Sequence, residues 1–318
     1  VTVSDGGNIT IGQDQQSAYW CQFGDLINRQ QETFGASSAY DSKGNLYVVG
    51  SSLANYVGGA LWQIFAVKYD PYGNILWHHT YINYKNVLSG ESIAVDSNDN
   101  LIILASSINN IWLLKVDSDQ GTVLAGYETP LNTVPVQGVD VTVDVNDNVY
   151  VLGMCQGMTT PVGRSTITTG TSFVAKFDSA LSYQWNQSFS LGDIIYEPFQ
   201  GTGFGAIEYK NGYIYATGAA NNSSTGANGL AGNWMWVAKM DVWGTIQWIK
   251  DQHAIYDVHG MVGMGITVDD AGSVYVTSTD DWEAGATIIT AFDQGGNLLW
   301  SNLLNEYTGA GDIDINYQ

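Results

Sequence analysis

The chain has 318 residues, of which 45% are hydrophobic, 12% aromatic and only 13% charged. Ten Lys and Arg stand against 31 Asp and Glu, a net charge of −21, which excludes the clustered cations that nucleic acid or an anionic membrane surface requires. No run of 18 apolar residues occurs, so no membrane-spanning helix is expected.

From the first residue the pattern is that of paired strands. Val1–Ile11 alternates β-branched residues around the turn Asp5–Asn8, and Tyr19–Phe23 with Leu26–Asn28 makes a shortened second hairpin. Alternation flanking Gly, Asn and Asp turns is the signature of β-hairpins. A clearer copy follows: Ser37–Tyr40, the turn Asp41–Asn45 and Leu46–Gly50, then Phe65–Tyr69, the turn Asp70–Asn74 and Ile75–Trp77. The third copy is built on the turns Asp96–Asn100 and Asp117–Gly121, the fourth on Asp144–Asn148 and on Phe173–Phe177 with Leu181–Trp185. The fifth uses Asn211-Gly212 and Asp241–Gly244, the sixth Asp269–Ser273 and Asp293–Gly296. Gly311–Asn316 resembles the first strand of the unit once more.

Internal registers confirm the repeat. Asp70, Asp178, Asp241 and Asp293 each stand seven residues before Trp77, Trp185, Trp248 and Trp300. Lys68, Lys115, Lys176 and Lys239 each stand two residues before the turn Asp, whereas the last copy has Ala291. The lysines are expected along the third strand, each ammonium near a carboxylate of its own unit, with Asp269 solvated or bound elsewhere.

Four strands per unit at this period predict an all-β β-propeller of four-stranded blades, because closing a ring removes the exposed sheet edges. Six blades are expected, with seven as the alternative. They form a single domain over 1–318, with blades at 1–33, 34–88, 89–136, 137–200, 201–260 and 261–307 and an extra closing or linking strand at 308–318. The segments Gly90–Leu101, Phe173–Trp185 and Gly265–Trp300 carry G-x-x-I-A-V-D-S-x-x-N-L and F-V-A-K-x-D-x-x-G-x-x-x-W in stronger or weaker form. They resemble the bacterial β-propeller repeat family and, more loosely, quinoprotein-type Trp repeats. The first resemblance implies a surface, adhesion or scaffold module; the second lacks the vicinal Cys pair that would cover a quinone.

Up-down strands place all the short Asp/Gly/Asn turns on one face and all the long connections on the other. Loops carry recognition while the scaffold stays constant, so the functional face is expected among the long connections. Their aromatics Tyr56, Trp62, Tyr84, Tyr196, Trp234, Tyr256 and Trp282 are candidates to stack on a carbohydrate or anchor a protein partner, including other subunits of a larger assembly. The competing use of such rings is to cover the ends of the blade cores. Asp117 and Asp119 offer closely spaced oxygen ligands for calcium, although Asp favours turns on backbone grounds alone. No other cofactor is expected.

Cys21 and Cys155 fall in non-adjacent repeats and read as small apolar residues. No nucleophile elbow, Walker loop or His-Glu-x-x-His motif occurs. Composition leans to an extracellular, cell-surface or virion protein, and Val1 in place of Met fits a processed product or an excised segment. The expected function is non-catalytic recognition or assembly. The alternative is a propeller enzyme (glycosidase, lyase or quinoprotein-like oxidoreductase) with its site in the central funnel, which three or more converging carboxylates there would favour.

Overall fold

The structure is a computed structural model. It describes residues 2–4, 8–10, 33–56, 59–81, 88–107, 110–129, 136–155, 160–162, 165–167, 171–189, 205–221, 233–252, 261–280, 287–304 and 311–315. The strands in chain order are β1 (Thr2–Ser4), β2 (Asn8–Thr10), β3 (Thr33–Tyr40), β4 (Leu46–Tyr56), β5 (Gly59–Tyr69), β6 (Ile75–Tyr81), β7 (Ser89–Val95), β8 (Leu101–Ser106), β9 (Ile111–Val116) and β10 (Val123–Glu128). They continue with β11 (Val136–Val143), β12 (Val149–Cys155), β13 (Thr160–Val162), β14 (Ser165–Ile167), β15 (Thr171–Phe177), β16 (Tyr183–Ser188), β17 (Gly205–Lys210) and β18 (Tyr213–Asn221). The last are β19 (Asn233–Asp241), β20 (Ile246–Gln252), β21 (Met261–Val268), β22 (Val274–Asp280), β23 (Thr287–Phe292), β24 (Leu298–Leu304) and β25 (Asp314–Ile315).

Five four-stranded antiparallel sheets result, ordered β3-β4-β5-β6, β7-β8-β9-β10, β11-β12-β15-β16, β17-β18-β19-β20 and β21-β22-β23-β24. These are blades one to five. The small hairpin β13–β14 is inserted between the second and third strands of blade three. First strands of successive sheets adjoin one another, β3 with β7, β7 with β11, β11 with β17, β17 with β21 and β21 with β25. They form the inner side of the array. The number of complete blades among the described residues is five, not six or seven. Of the first repeat, only the hairpin β1–β2 is described; with β25 it makes a three-stranded sheet ordered β2-β1-β25, β25 running parallel to β1. Its shortened second hairpin, like Cys21, lies outside the described residues.

The core sits between blades, and strand alternation explains it. Leu101, Ile103 and Ala105 of β8 pack with Val49, Ile64 and Ala66 of blade one. The intervening Ile102 and Leu104 pack with Val141, Val151 and Phe173 of blade three. On β19, Trp236, Ala238 and Met240 meet blade three, while Met235 and Val237 meet blade five. Both faces of a blade between neighbours are covered, so strands such as β8 and β23 are buried along their whole length.

Two repeated devices hold neighbours in register. On the inner strands, Ser51 Oγ accepts the Gly90 N–H at 3.1 Å, and Ser106 Oγ accepts that of Gly138 at 2.8 Å. A Cβ on Gly90 would lie 2.6 Å from the Gly50 carbonyl oxygen, so glycine permits this approach. On the outer side, Trp77 Nε1 donates to the Ser118 carbonyl at 2.9 Å and Trp248 Nε1 to that of Gln294 at 3.1 Å. The indole of Trp248 also covers Gly296, where a Cβ would meet it at 2.7 Å and φ is +78°. The Asp-to-Trp spacing is thus an interblade latch: each acceptor is the residue after the next blade's turn Asp.

The lysines use the same acceptors. Lys68, Lys115 and Lys176 donate to the carbonyls of Ser118, Ser179 and Val242 at 3.0, 3.0 and 3.1 Å. Own-blade carboxylates are found for two of them, Asp41 at 3.9 Å from Lys68 and Asp96 at 2.8 Å from Lys115. Lys176 and Lys239 instead sit over tyrosine rings, Tyr150 at 5.1 Å and Tyr213 at 4.1 Å. In blade three Asp144 Oδ2 accepts Asn148 Nδ2 and the Tyr150 hydroxyl, as Asp41 Oδ2 accepts Asn45 and Tyr47 in blade one, where Lys68 also lies over the Tyr47 ring at 5.2 Å. Asp269, with Ala291 opposite, is bound by the Tyr275 hydroxyl at 3.2 Å and the Ser273 N–H at 2.7 Å.

Candidate functional site

The long connections leave the blades at the ends opposite the short turns. At that end of blade one, Phe34 is 60% exposed and its ring lies 5.6 Å from that of the half-buried Trp62. The segment around Trp62 is not the loop that composition predicts. The β4–β5 ladder continues through Leu53↔Trp62 to Tyr56↔Gly59, so Tyr56 and Trp62 stand on strands. Trp234 is likewise on β19, paired with Ala220. Among the described side chains, Trp62 is the predicted aromatic that lies against another ring; those of Tyr56 and Trp234 are outside them. Tyr84, Tyr196, Tyr256 and Trp282 lie outside the described residues.

Carboxyl groups with raised proton affinity occur on the first strands β7, β11 and β17 and just before β25. Asp140 joins three blades: Ser92 Oγ donates to its Oδ1 at 2.6 Å, its neighbour Val141 N–H to the same oxygen at 2.8 Å, and Ile207 N–H to Oδ2 at 2.8 Å. Burial pushes its carboxyl up to about 6, those hydrogen bonds oppose the rise and the charge of Asp312 adds to it. Glu91 is the unpaired residue of the bulge between Gly90 and Ser92. Burial pushes it up to about 7 against the pull of the Ser89 and Ser106 hydroxyls. Glu208 is pushed up to about 7 by burial, opposed by Thr267 and Lys210. Asp312 is raised by burial and by Asp314. Glu91, Asp140 and Glu208, raised to about 7, 6 and 7, suit acid–base work near neutrality. The sequence patterns do not single out Glu91, Asp140 and Asp312, and they mark Glu208 only as the acid at the position that Asp41, Asp96 and Asp144 hold in other units; the one further signal is an acid beside the repeat glycine, as in Gly90-Glu91 and Gly311-Asp312.

Asp117 and Asp119 stand on the second-hairpin turn of blade two. Asp117 Oδ1 accepts the N–H groups of Asp119 at 3.0 Å and Gln120 at 2.7 Å, and Asp119 Oδ1 is 3.9 Å from Lys68 Nζ. Asp99 and Asp147 (both φ +62°) clasp the preceding blade, taking the N–H and Oγ of Ser42 and of Ser97, all at 2.8 Å. Among the described residues, no group of three His, Cys, Asp or Glu is placed to hold a metal ion, and no helix is long and apolar enough to cross a membrane.

The short-turn face carries aromatics that the sequence reading passed over. Tyr72 is 86% and Trp243 78% exposed. Both hold the third position of a second-hairpin turn, where the other blades have Asp119, Ala180 and Gly295. An aromatic there serves neither core nor turn, and that is the signal that marks it.

An all-β array of four-stranded antiparallel sheets, packed face to face with first strands inside, is a β-propeller. The particular likenesses are remote. An apocarotenoid oxygenase mutant from Synechocystis superposes with a TM-score of 0.51 at 12% identity, over 92% of this chain and 66% of that one. A virginiamycin B lyase from Staphylococcus aureus gives 0.48 at 9% identity, covering 91% and 94%, and the Dos1 propeller 0.47 at 14%, covering 87% and 70%. At such identities only the fold is shared. No protein-family model matches the chain, and no curated protein matches it by sequence.

Proposed function

We propose that this chain is a non-catalytic recognition or assembly module of the bacterial β-propeller repeat kind. It would work at a cell or virion surface, engaging a protein or glycan through its long-connection face, with the β1–β2–β25 sheet as the sixth position of the ring. The observation that carries the reading is Phe34, largely exposed and backed by Trp62 at that face. Solvent-facing aromatic pairs on a rigid ladder are the usual anchors of such surfaces. The reading requires no cofactor. On an oligosaccharide array and a panel of cell-surface proteins, the protein is expected to be retained by a subset of ligands. Phe34→Ala is expected to lose at least about tenfold in affinity, within the range of an aromatic anchor, with an unchanged thermal midpoint. Equal binding by the variant would remove this face from consideration.

A second reading, a polysaccharide hydrolase or lyase acting at the inner strands, is favoured by Glu91, Asp140, Glu208 and Asp312 with their raised proton affinities. Its mark would be product release from the same oligosaccharides, abolished in Glu208→Gln and intact in Phe34→Ala.

A further inference from the structure

The second-hairpin turns combine two features: rigidly presented rings and a run of turn carboxylates with no Lys or Arg within the turns themselves. Asp70 Oδ1 accepts the N–H groups of Tyr72 at 2.9 Å and Asn74 at 2.8 Å, and its backbone carbonyl accepts that of Gly73 at 3.0 Å. Asp241 does the same for Trp243 at 3.0 Å, Thr245 at 2.9 Å and Gly244 at 3.0 Å. Each ring therefore projects from a backbone already held, so little loop ordering opposes binding. The five turn sequences, DPYGN, DSDQG, DSALS, DVWGT and DQGGN, hold six Asp and no Lys or Arg. Lys68 and Lys176, two residues before their own turns, are directed to carbonyls of the next blade. Asp70 is held below the usual carboxylate range, first by the Asn74 side-chain amide, and Asp293 likewise by Asn297. Leu76, Leu124 and Leu298 on the outermost strands add exposed apolar area alongside.

We propose that this short-turn face docks a cationic, Lys- or Arg-rich polypeptide, with Tyr72 on blade one and Trp243 on blade four as two separate aromatic seats. A guanidinium or ammonium gains from an exposed ring by cation–π attraction and from the adjacent carboxylate by a charge-assisted hydrogen bond. No neutral ligand uses both. A second copy of this chain, also at −21, is repelled, and an anionic ligand more so.

The test is fluorescence anisotropy with a labelled hexa-arginine peptide in 0.15 M salt, alongside labelled cellohexaose as the neutral arm. Wild type is expected to bind the peptide and not the sugar. A hexa-arginine peptide reaches one seat at a time, so Tyr72→Ala and Trp243→Ala are each expected to remove about half of the peptide bound at saturation, and the double variant to weaken binding about threefold or more, the range of ring–cation attraction at exposed sites. Both rings are exposed, so thermal midpoints should be unchanged. Val145→Ala, exposed on a first-hairpin turn, should bind like wild type. Peptide binding that survives the double variant undiminished would reduce the effect to net charge and overturn the proposal. So would absence of peptide binding, or cellohexaose binding that the double variant abolishes.

Discussion

Replacing Asp41 by Ala is expected to cost about 3–5 kcal/mol and to lower the thermal midpoint by roughly 5–8 °C. The side chain is buried and does four jobs at once. Its Oδ1 accepts the N–H groups of Lys43 at 2.9 Å and Asn45 at 2.8 Å, and its Oδ2 accepts Asn45 Nδ2 at 2.7 Å and the Tyr47 hydroxyl at 2.9 Å. Burial alone would raise its proton affinity, but these donors bring the carboxyl below its ordinary range. Lys68 Nζ, also buried, lies 3.9 Å away. Truncation leaves a phenol hydroxyl without its acceptor and takes from the buried ammonium its one buried carboxylate, leaving it the Ser118 carbonyl and the exposed Asp119; removing the buried partner of a buried charge is the expensive case. Asp70 is the control. It closes the same kind of turn, accepting Tyr72 N–H, Asn74 N–H and Asn74 Nδ2 at 2.8–2.9 Å, but in solvent. Asp70→Ala is expected to cost clearly less, because water replaces the hydrogen bonds of an exposed turn. Denaturant unfolding of both variants measures the difference. Equal losses would show that turn closure, rather than the buried hub, sets the energy.

That contrast also marks what the sequence disclosed. The turns were legible because Asp, Asn and Gly are required by backbone geometry: Gly44, Gly73, Gly244, Gly272 and Gly296 all have φ between +78° and +89°. The Asp-to-Trp interval was legible as a register, yet its purpose was not. The carbonyls that receive Trp77 and Trp248 belong to the next blade, 41 and 46 residues on, and no local pattern points to a main-chain acceptor. The lysine ladder shows the same boundary. Its position repeats, but its partner changes from Asp96, where Ile102 stands across the strand, to a ring where a tyrosine such as Tyr150 does. The predicted site fared differently. The segment around Trp62 had loop-like Gly and Asn, but the ladder runs through it because its residues pair across the hairpin. The inner carboxylates escaped notice because Asp140 is made a site only by Ser92 and Ile207, which chain separation hides.

Those inner carboxylates give the protein an inverted response to pH: it is expected to be most stable near pH 5 and to lose stability towards pH 8. Glu91 and Glu208 are pushed up to about 7 and Asp140 to about 6, each chiefly by burial. Groups with raised values bind protons more tightly folded than unfolded, so their contribution is full below about pH 4 and falls as pH rises to about 7. For Asp140, the difference between its ordinary value of 3.8 and about 6 corresponds to about 3 kcal/mol at 1.4 kcal/mol per tenfold change. Asp41, Asp96, Asp70 and Asp293 are held low, and their contribution is lost only as pH falls below about 4. The two sets leave a maximum between. Self-repulsion of a chain at −21 acts in the same direction as the raised group, but salt screens surface charge far more than buried charge. Thermal unfolding in 0.5 M salt should therefore keep a fall of roughly 5 °C or more between pH 5 and pH 8. Glu91→Gln, whose amide can still bond the rotatable hydroxyls of Ser89 and Ser106, should lessen that fall without abolishing it. A profile that flattens fully in salt, or that Glu91→Gln leaves unchanged, would assign the effect to surface charge instead.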